Sequence, residues 1–81
     1  MEYYMRTEYN RRGLYFSTHN CFNEAGNRIG AIETHDTDVK RTYYVAWIFL
    51  KNPRVIGEGK TETFYTWDEC VKHIEDNNEY K

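Results

Sequence analysis

His19 and Cys21, with Cys70 and His73 far along the chain, supply two thiols and two imidazoles, the ligand count of a structural zinc site. Their spacing matches none of the common zinc motifs, and Cys70 falls on an apolar helical stripe, where a free cysteine behaves as a small hydrophobe. His19 and Cys21 also have the residue types of a base and a nucleophile, but the sequence places no third group beside them. Thr34-His35-Asp36-Thr37-Asp38 gathers two carboxylates and an imidazole. It lacks the Asp-x-Asp-x-Asp-Gly spacing of a calcium loop and reads as solvated turn chemistry. Gly57 and Gly59 form a Gly-x-Gly that falls inside an expected strand arm rather than before a helix, so no phosphate-binding fingerprint results. The expectation is a chain that is not an enzyme, holds no cofactor or metal, and keeps both thiols reduced.

A second constellation concerns binding. Arg6, Arg11 and Arg12 are interleaved with Tyr4, Tyr9 and Tyr15, as in a surface that stacks bases and contacts phosphates of single-stranded nucleic acid. No RNP or KH signature accompanies them. Asp68 to Lys81 carries five acidic residues against two lysines, a net −3 that repels phosphate and suits a basic protein surface. The whole chain has 13 acidic and 11 basic side chains, net −2, so nothing overall draws it to nucleic acid or an anionic membrane. Aromatic residues make up 17% of the 81, with eight tyrosines and two tryptophans, more than one small core can hide. Tyr and Trp recur at protein interfaces because each offers a broad apolar surface with a polar tip. The candidate partner-contacting residues are Tyr4, Tyr9, Arg11, Arg12, Tyr15, Tyr44, Asp68 and Asp76.

The elements that must position these residues follow from periodicity. Thr42 to Leu50 is the most apolar run, eight of its nine residues apolar or aromatic, and reads as a central strand. Alternation puts Tyr43, Val45, Trp47 and Phe49 on one face and Tyr44, Ala46, Ile48 and Leu50 on the other, so both faces want cover. Strands are also expected in Glu2 to Tyr9, in Leu14 to Thr18, in Arg28 to His35 with a bulge at Gly30, and in Val55 to Tyr65. Turns or loops are expected at Asn10 to Gly13, Asn20 to Asn27, Asp36 to Arg41 and Lys51 to Arg54. Thr66-Trp67-Asp68-Glu69 is a capping box. Trp67, Cys70, Val71 and Ile74 then make one apolar helical stripe, with Asp68, Lys72 and Asp76 on the opposite side and Asn77-Asn78 as the stop. The sum is a single α+β domain spanning 1–81: an antiparallel sheet of three to five strands with one C-terminal helix on one face.

Tyr43-Tyr44-Val45-Ala46-Trp47 and Tyr65-Thr66-Trp67-Asp68-Glu69-Cys70 resemble the strand and helix start of the hybrid-binding domain found in some ribonucleases H and in viroplasmin. The order of hairpin then helix, entered through Phe64-Tyr65-Thr66, is similar to the DNA-binding arm-binding domain of phage-type integrases. The first likeness covers about a fifth of the chain and requires Ile48 to Phe64 to be an insertion. In the second, Glu58 and Glu62 stand where that sheet is basic, so neither transfers a residue role.

No apolar run reaches the roughly 18 residues of a membrane span, and Met-Glu-Tyr-Tyr-Met-Arg has no basic-then-apolar leader pattern, so a cytoplasmic location is expected. The leading functional expectation is a non-catalytic protein that binds a protein partner stoichiometrically, with a homodimer among the forms considered. In composition it is similar to phage or mobile-element inhibitors of host machinery, of the anti-defence type. The alternative is a small nucleic-acid-binding module using a Tyr/Arg surface on the sheet.

Overall fold

The structure, a computed structural model, describes residues 6–11, 16–36 and 42–80, with the backbone alone at 6–11 and at Phe16. Five strands, β1 (Arg6–Arg11), β2 (Phe16–Phe22), β3 (Arg28–His35), β4 (Tyr43–Phe49) and β5 (Gly59–Phe64), are followed by helix α1 (Trp67–Asn77). The strands form one antiparallel sheet in chain order, β1-β2-β3-β4-β5, a plain meander. The fold is therefore the expected α+β arrangement.

The apolar run at β4 is an interior strand but not the middle one; that position belongs to β3, where Ile29 through Ile32 are all buried. Its alternation holds as read. Ala46 and Ile48 enter the core with Tyr44 packed against it, beneath α1. The other set, Tyr43, Val45, Trp47 and Phe49, lies on the opposite face.

The bulge falls one residue earlier than expected. Cys21 faces Gly30 and Phe22 faces Arg28, which leaves Ile29 as the extra residue on β3. Ile29 is thereby sent into the core, fully buried, although simple alternation from Ala31 would have put it on the far face. Gly30 is small for a reason. A Cβ there would collide with the Trp47 carbonyl oxygen and sit 3.3 Å from Ile74 Cγ2, so the missing side chain lets β4 pair and α1 settle against the sheet.

Two loop readings are corrected. The segment Asn20 to Phe22, read as loop, is the second half of β2, because pairing to both β1 and β3 supplies every ladder bond that its polar side chains do not advertise. The turn itself is near Gly26, as the Asn and Gly residues there lead one to expect: Asn23 Oδ1 accepts from the Asn27 amide at 2.9 Å and Gly26 adopts φ +90°. Conversely, Val55 to Glu58 is not strand: the arm begins at Gly59, and Gly57 (φ +81°) belongs to the loop before it. The expected strand at Glu2 to Tyr9 appears as Arg6–Arg11; its first residues, and those at 12–15 and 37–41, lie outside the described part.

α1 starts where the capping box puts it. Thr66 Oγ1 accepts from the Glu69 amide at 3.2 Å, while its hydroxyl donates to Glu69 Oε1 at 2.7 Å, so the carboxylate returns to the side chain rather than to the Thr66 amide. At the other end the last turn of the helix holds no basic residue. Asn78 does that work with hydrogen bonds: its amide nitrogen and its Nδ2 donate to the Ile74 carbonyl at 3.0 and 2.9 Å, and its Oδ1 accepts from the Tyr80 amide at 3.0 Å. The stripe is as read, with Cys70 and Ile74 fully buried and Trp67 and Val71 packed beside them. Ile74→Ala leaves a cavity at the point where helix meets sheet and should lose about 2 to 5 kcal/mol. Chemical denaturation checks this, and a loss below about 0.5 kcal/mol, the scale of a surface change, contradicts the packing.

Candidate protein-contact surface

α1 packs over β4, β3 and β5, all on one side of the sheet. Among the described residues no element packs on the other side. Register and alternation arrange that open face in ranks across the strands: Arg28 with Phe49; then Asn20, Ala31, Trp47 and Thr61; then Thr18, Glu33, Val45 and Thr63; then His35 with Tyr43.

The aromatic side chains there are held by one another. His35 stacks on Tyr43, ring centroids 4.8 Å apart and planes 3° from parallel, and Trp47 lies 6.0 Å from Phe49. The Arg28 guanidinium rests 4.2 Å over the Phe49 ring. At the other end Glu33 Oε1 is 3.0 Å from His35 Nε2. Ala31, only 2% exposed, is walled in by its longer neighbours and floors a shallow hollow of about 190 Å³ edged by Thr18, Asn20, Arg28, Glu33 and Trp47. The Trp47 indole Nε1 is buried without a hydrogen-bond partner among the described residues. Beyond the Arg28 end, the loop before β5 puts Val55 (65%) and Ile56 (102%) in the open, so apolar surface continues off the sheet.

The expected contact residues are not gathered in one place. Tyr44 lies on the covered face, edge-on to Trp67 at 6.1 Å, and contributes to packing. Asp68 and Asp76 are exposed on the outside of α1, with Lys72 Nζ 3.7 Å from Asp76 Oδ2. Tyr9 stands opposite His19 and Arg11 opposite Ser17 on edge strand β1; Tyr4, Arg12 and Tyr15 lie outside the described residues. Arg28, Ala31 and Glu33 were not singled out from sequence. Their shared face could be read only after the extra residue at Ile29 was placed.

The thiols and imidazoles do not converge on a metal-binding group among the described residues. Cys21 and Cys70 are both in the core. Burial pushes the Cys21 thiol up to about 12, with Cys70 close by adding to it, and burial, then Glu69, raises Cys70 to about 11. His19 sits edge-on to Trp67 at 4.9 Å, and burial lowers its pKa from 6.5. His73 packs on Phe64 and lies 3.7 Å from Glu62, in a polar groove between α1 and β5. Of the expected turn at Thr34 to Asp38, Thr34 and His35 belong to β3, Asp36 Oδ1 accepts from the Thr42 hydroxyl at 2.7 Å, and Thr37 and Asp38 lie outside the described residues.

Comparison with protein-family models, with characterised proteins and with solved structures finds no match for this chain.

Neutral, buried thiols react slowly, because the thiolate is the nucleophile. A thiol reagent at about pH 8 should therefore leave the native protein almost unmodified and titrate two thiols once it is denatured without reductant. Stoichiometric zinc by elemental analysis would contradict this assignment.

Proposed function

We propose that this chain is a non-catalytic binding protein that acts stoichiometrically on a protein partner. The observation that supports this is the open sheet face: Tyr43, Val45, Trp47 and Phe49 stand on it with Arg28 at one end and Glu33 beside Val45, while the helix lies entirely on the other side. Aromatic side chains and an Arg, ringed by polar threonine and asparagine, have the composition of a contact patch with a central anchor. The exposed acids of α1 add a second surface, whose sign favours a basic target. The reading as a phage or mobile-element inhibitor of the anti-defence type rests on composition by analogy.

The competing reading is a nucleic-acid module, for which the stacked His35 and Tyr43 would serve as a base platform, with Arg28 at the far end of the same face. Glu33 in the adjoining rank and the acidic helix oppose phosphate. The two readings separate in solution. Mixed-sequence DNA and RNA should show no micromolar retention at low or high salt, while a protein captured at fixed ratio from nuclease-treated lysate should bind about tenfold or more weakly to Trp47→Ser. Micromolar nucleic-acid binding that weakens with salt and with Arg11→Ala would overturn the proposal.

A further inference from the structure

We infer that the open sheet face closes on a second copy of this chain, in a two-fold dimer whose facing β3 strands run antiparallel and join Arg28 of each copy to Glu33 of the other. This rests on the reading of that face as a protein-contact surface, and names its occupant.

Charge placement carries the inference. Arg28 lies toward one end of the face, held over the Phe49 ring, and Glu33 lies two ranks along the same strand, beyond Ala31. Two sheets stacked face to face with their strands aligned are related by a two-fold axis lying between them, running either along the strands or across them. An axis along the strands sets Arg28 against the partner's Arg28. An axis across them, through the rank of Ala31 and Trp47, sets Arg28 against the partner's Glu33, and symmetry makes the contact twice. The face is thus complementary to itself in one orientation and repels itself in the other. Stacked sheets lie about 10 Å apart, a gap that an extended Arg and Glu can bridge together.

The rest of the face fits that placement. Trp47 lies on the axis, the position where aromatic anchors contribute most, opposite the partner's Trp47, and the small Ala31 one strand over leaves a hollow toward which that indole can lean. The net charge of −2 per chain is small, and the acidic helices lie on the far sides of the two sheets, so copies repel each other little. A domain of this size leaves much of its surface exposed and gains from covering one face.

Light scattering across a concentration series tests this. Wild type should show about twice the 9.8 kDa chain mass at micromolar to millimolar concentrations. Arg28→Glu and Glu33→Arg should each weaken the dimer by about tenfold or more, because every cross-contact then joins like charges. A 1:1 mixture of the two variants should recover the dimer, since each contact in the mixed pair joins opposite charges again. Circular dichroism of each variant shows whether it keeps the fold; Trp47→Ser, read the same way, supplies a second route to the monomer. A wild type that stays monomeric at about 0.5 mM, as it would if residues 1–5 or a foreign protein filled the face, overturns the inference. So does a dimer whose mass ignores both charge reversals, or a mixture that fails to recover. A monomeric wild type whose partner capture is still weakened by Trp47→Ser would remove the dimer and leave the proposed function standing.

Discussion

One helix is too narrow for the sheet it serves. A helix with its side chains is about 10 Å across, whereas five strands at about 4.8 Å spacing span about 19 Å. α1, with 11 residues, covers β3 to β5 on one side and reaches β2 through Trp67 against His19 and Cys70 near Cys21. All the fully buried side chains that build the core, Cys21, Ile29, Ile32, Ala46, Cys70 and Ile74, therefore lie between this helix and one face of the sheet. They are aliphatic or small, because the gap must close tightly where Gly30 admits Ile74. Three of the four aromatics of β4, Tyr43, Trp47 and Phe49, fall on the other face, while Tyr44 packs under the helix. The division of labour between the two faces follows from that single geometric shortfall.

The elements with strong periodicity could be read directly from the chain. α1 was visible from Thr66, Glu69 and the Trp67, Cys70, Val71, Ile74 stripe, and β4 from its apolar run, since both signals are local. β2 was only half legible. His19 and Asn20 are turn-forming or polar types, and what makes the segment a strand is its pairing on both sides, a tertiary fact that propensity does not carry. The loop before β5 failed in the opposite sense: Val55 and Ile56 have strand-forming side chains but project into solvent. The contact surface was legible as a face but not as residues. Alternation in β4 put Trp47 and Phe49 together, yet residue type alone could not tell that Tyr44 would be packed under the helix, and the extra residue at Ile29 disguised the alignment of Arg28 with Glu33.

Under and around the helix, the cap at Thr66 and the bonds from Asn78 meet the exposed ends of the backbone, and the buried thiols stay neutral. On the open side the Trp47 Nε1 donor is buried without a partner among the described residues, a condition that costs about 1 to 3 kcal/mol in a domain with little stability to spare. Local rules are broken mainly where a site rather than the fold sets the requirement. The indole sits in the middle of the open face, and a shift of its ring under a docking surface would let the donor find an acceptor. The same two features, an aromatic without full cover and a donor without a bond, thus mark one place.

If the sheet faces are paired, the placement of charge gains a further consequence. Each helix would lie about 10 Å outside its own sheet and the sheets about 10 Å from each other, so two acidic helices would stand about 30 Å apart on opposite outer sides of the dimer. The exposed Asp68 and Asp76 would then be presented twice, facing away from one another, and a single small basic patch could engage just one of them. A target offering two basic surfaces at that span would bind with the second contact made intramolecular, and would gain avidity without any new interaction. Two separate target molecules would instead bind independently, one to each helix. The geometry of a one-helix sheet therefore bears on stoichiometry: covering the aromatic face with a copy of itself converts a weak, screened acidic surface into a bivalent one.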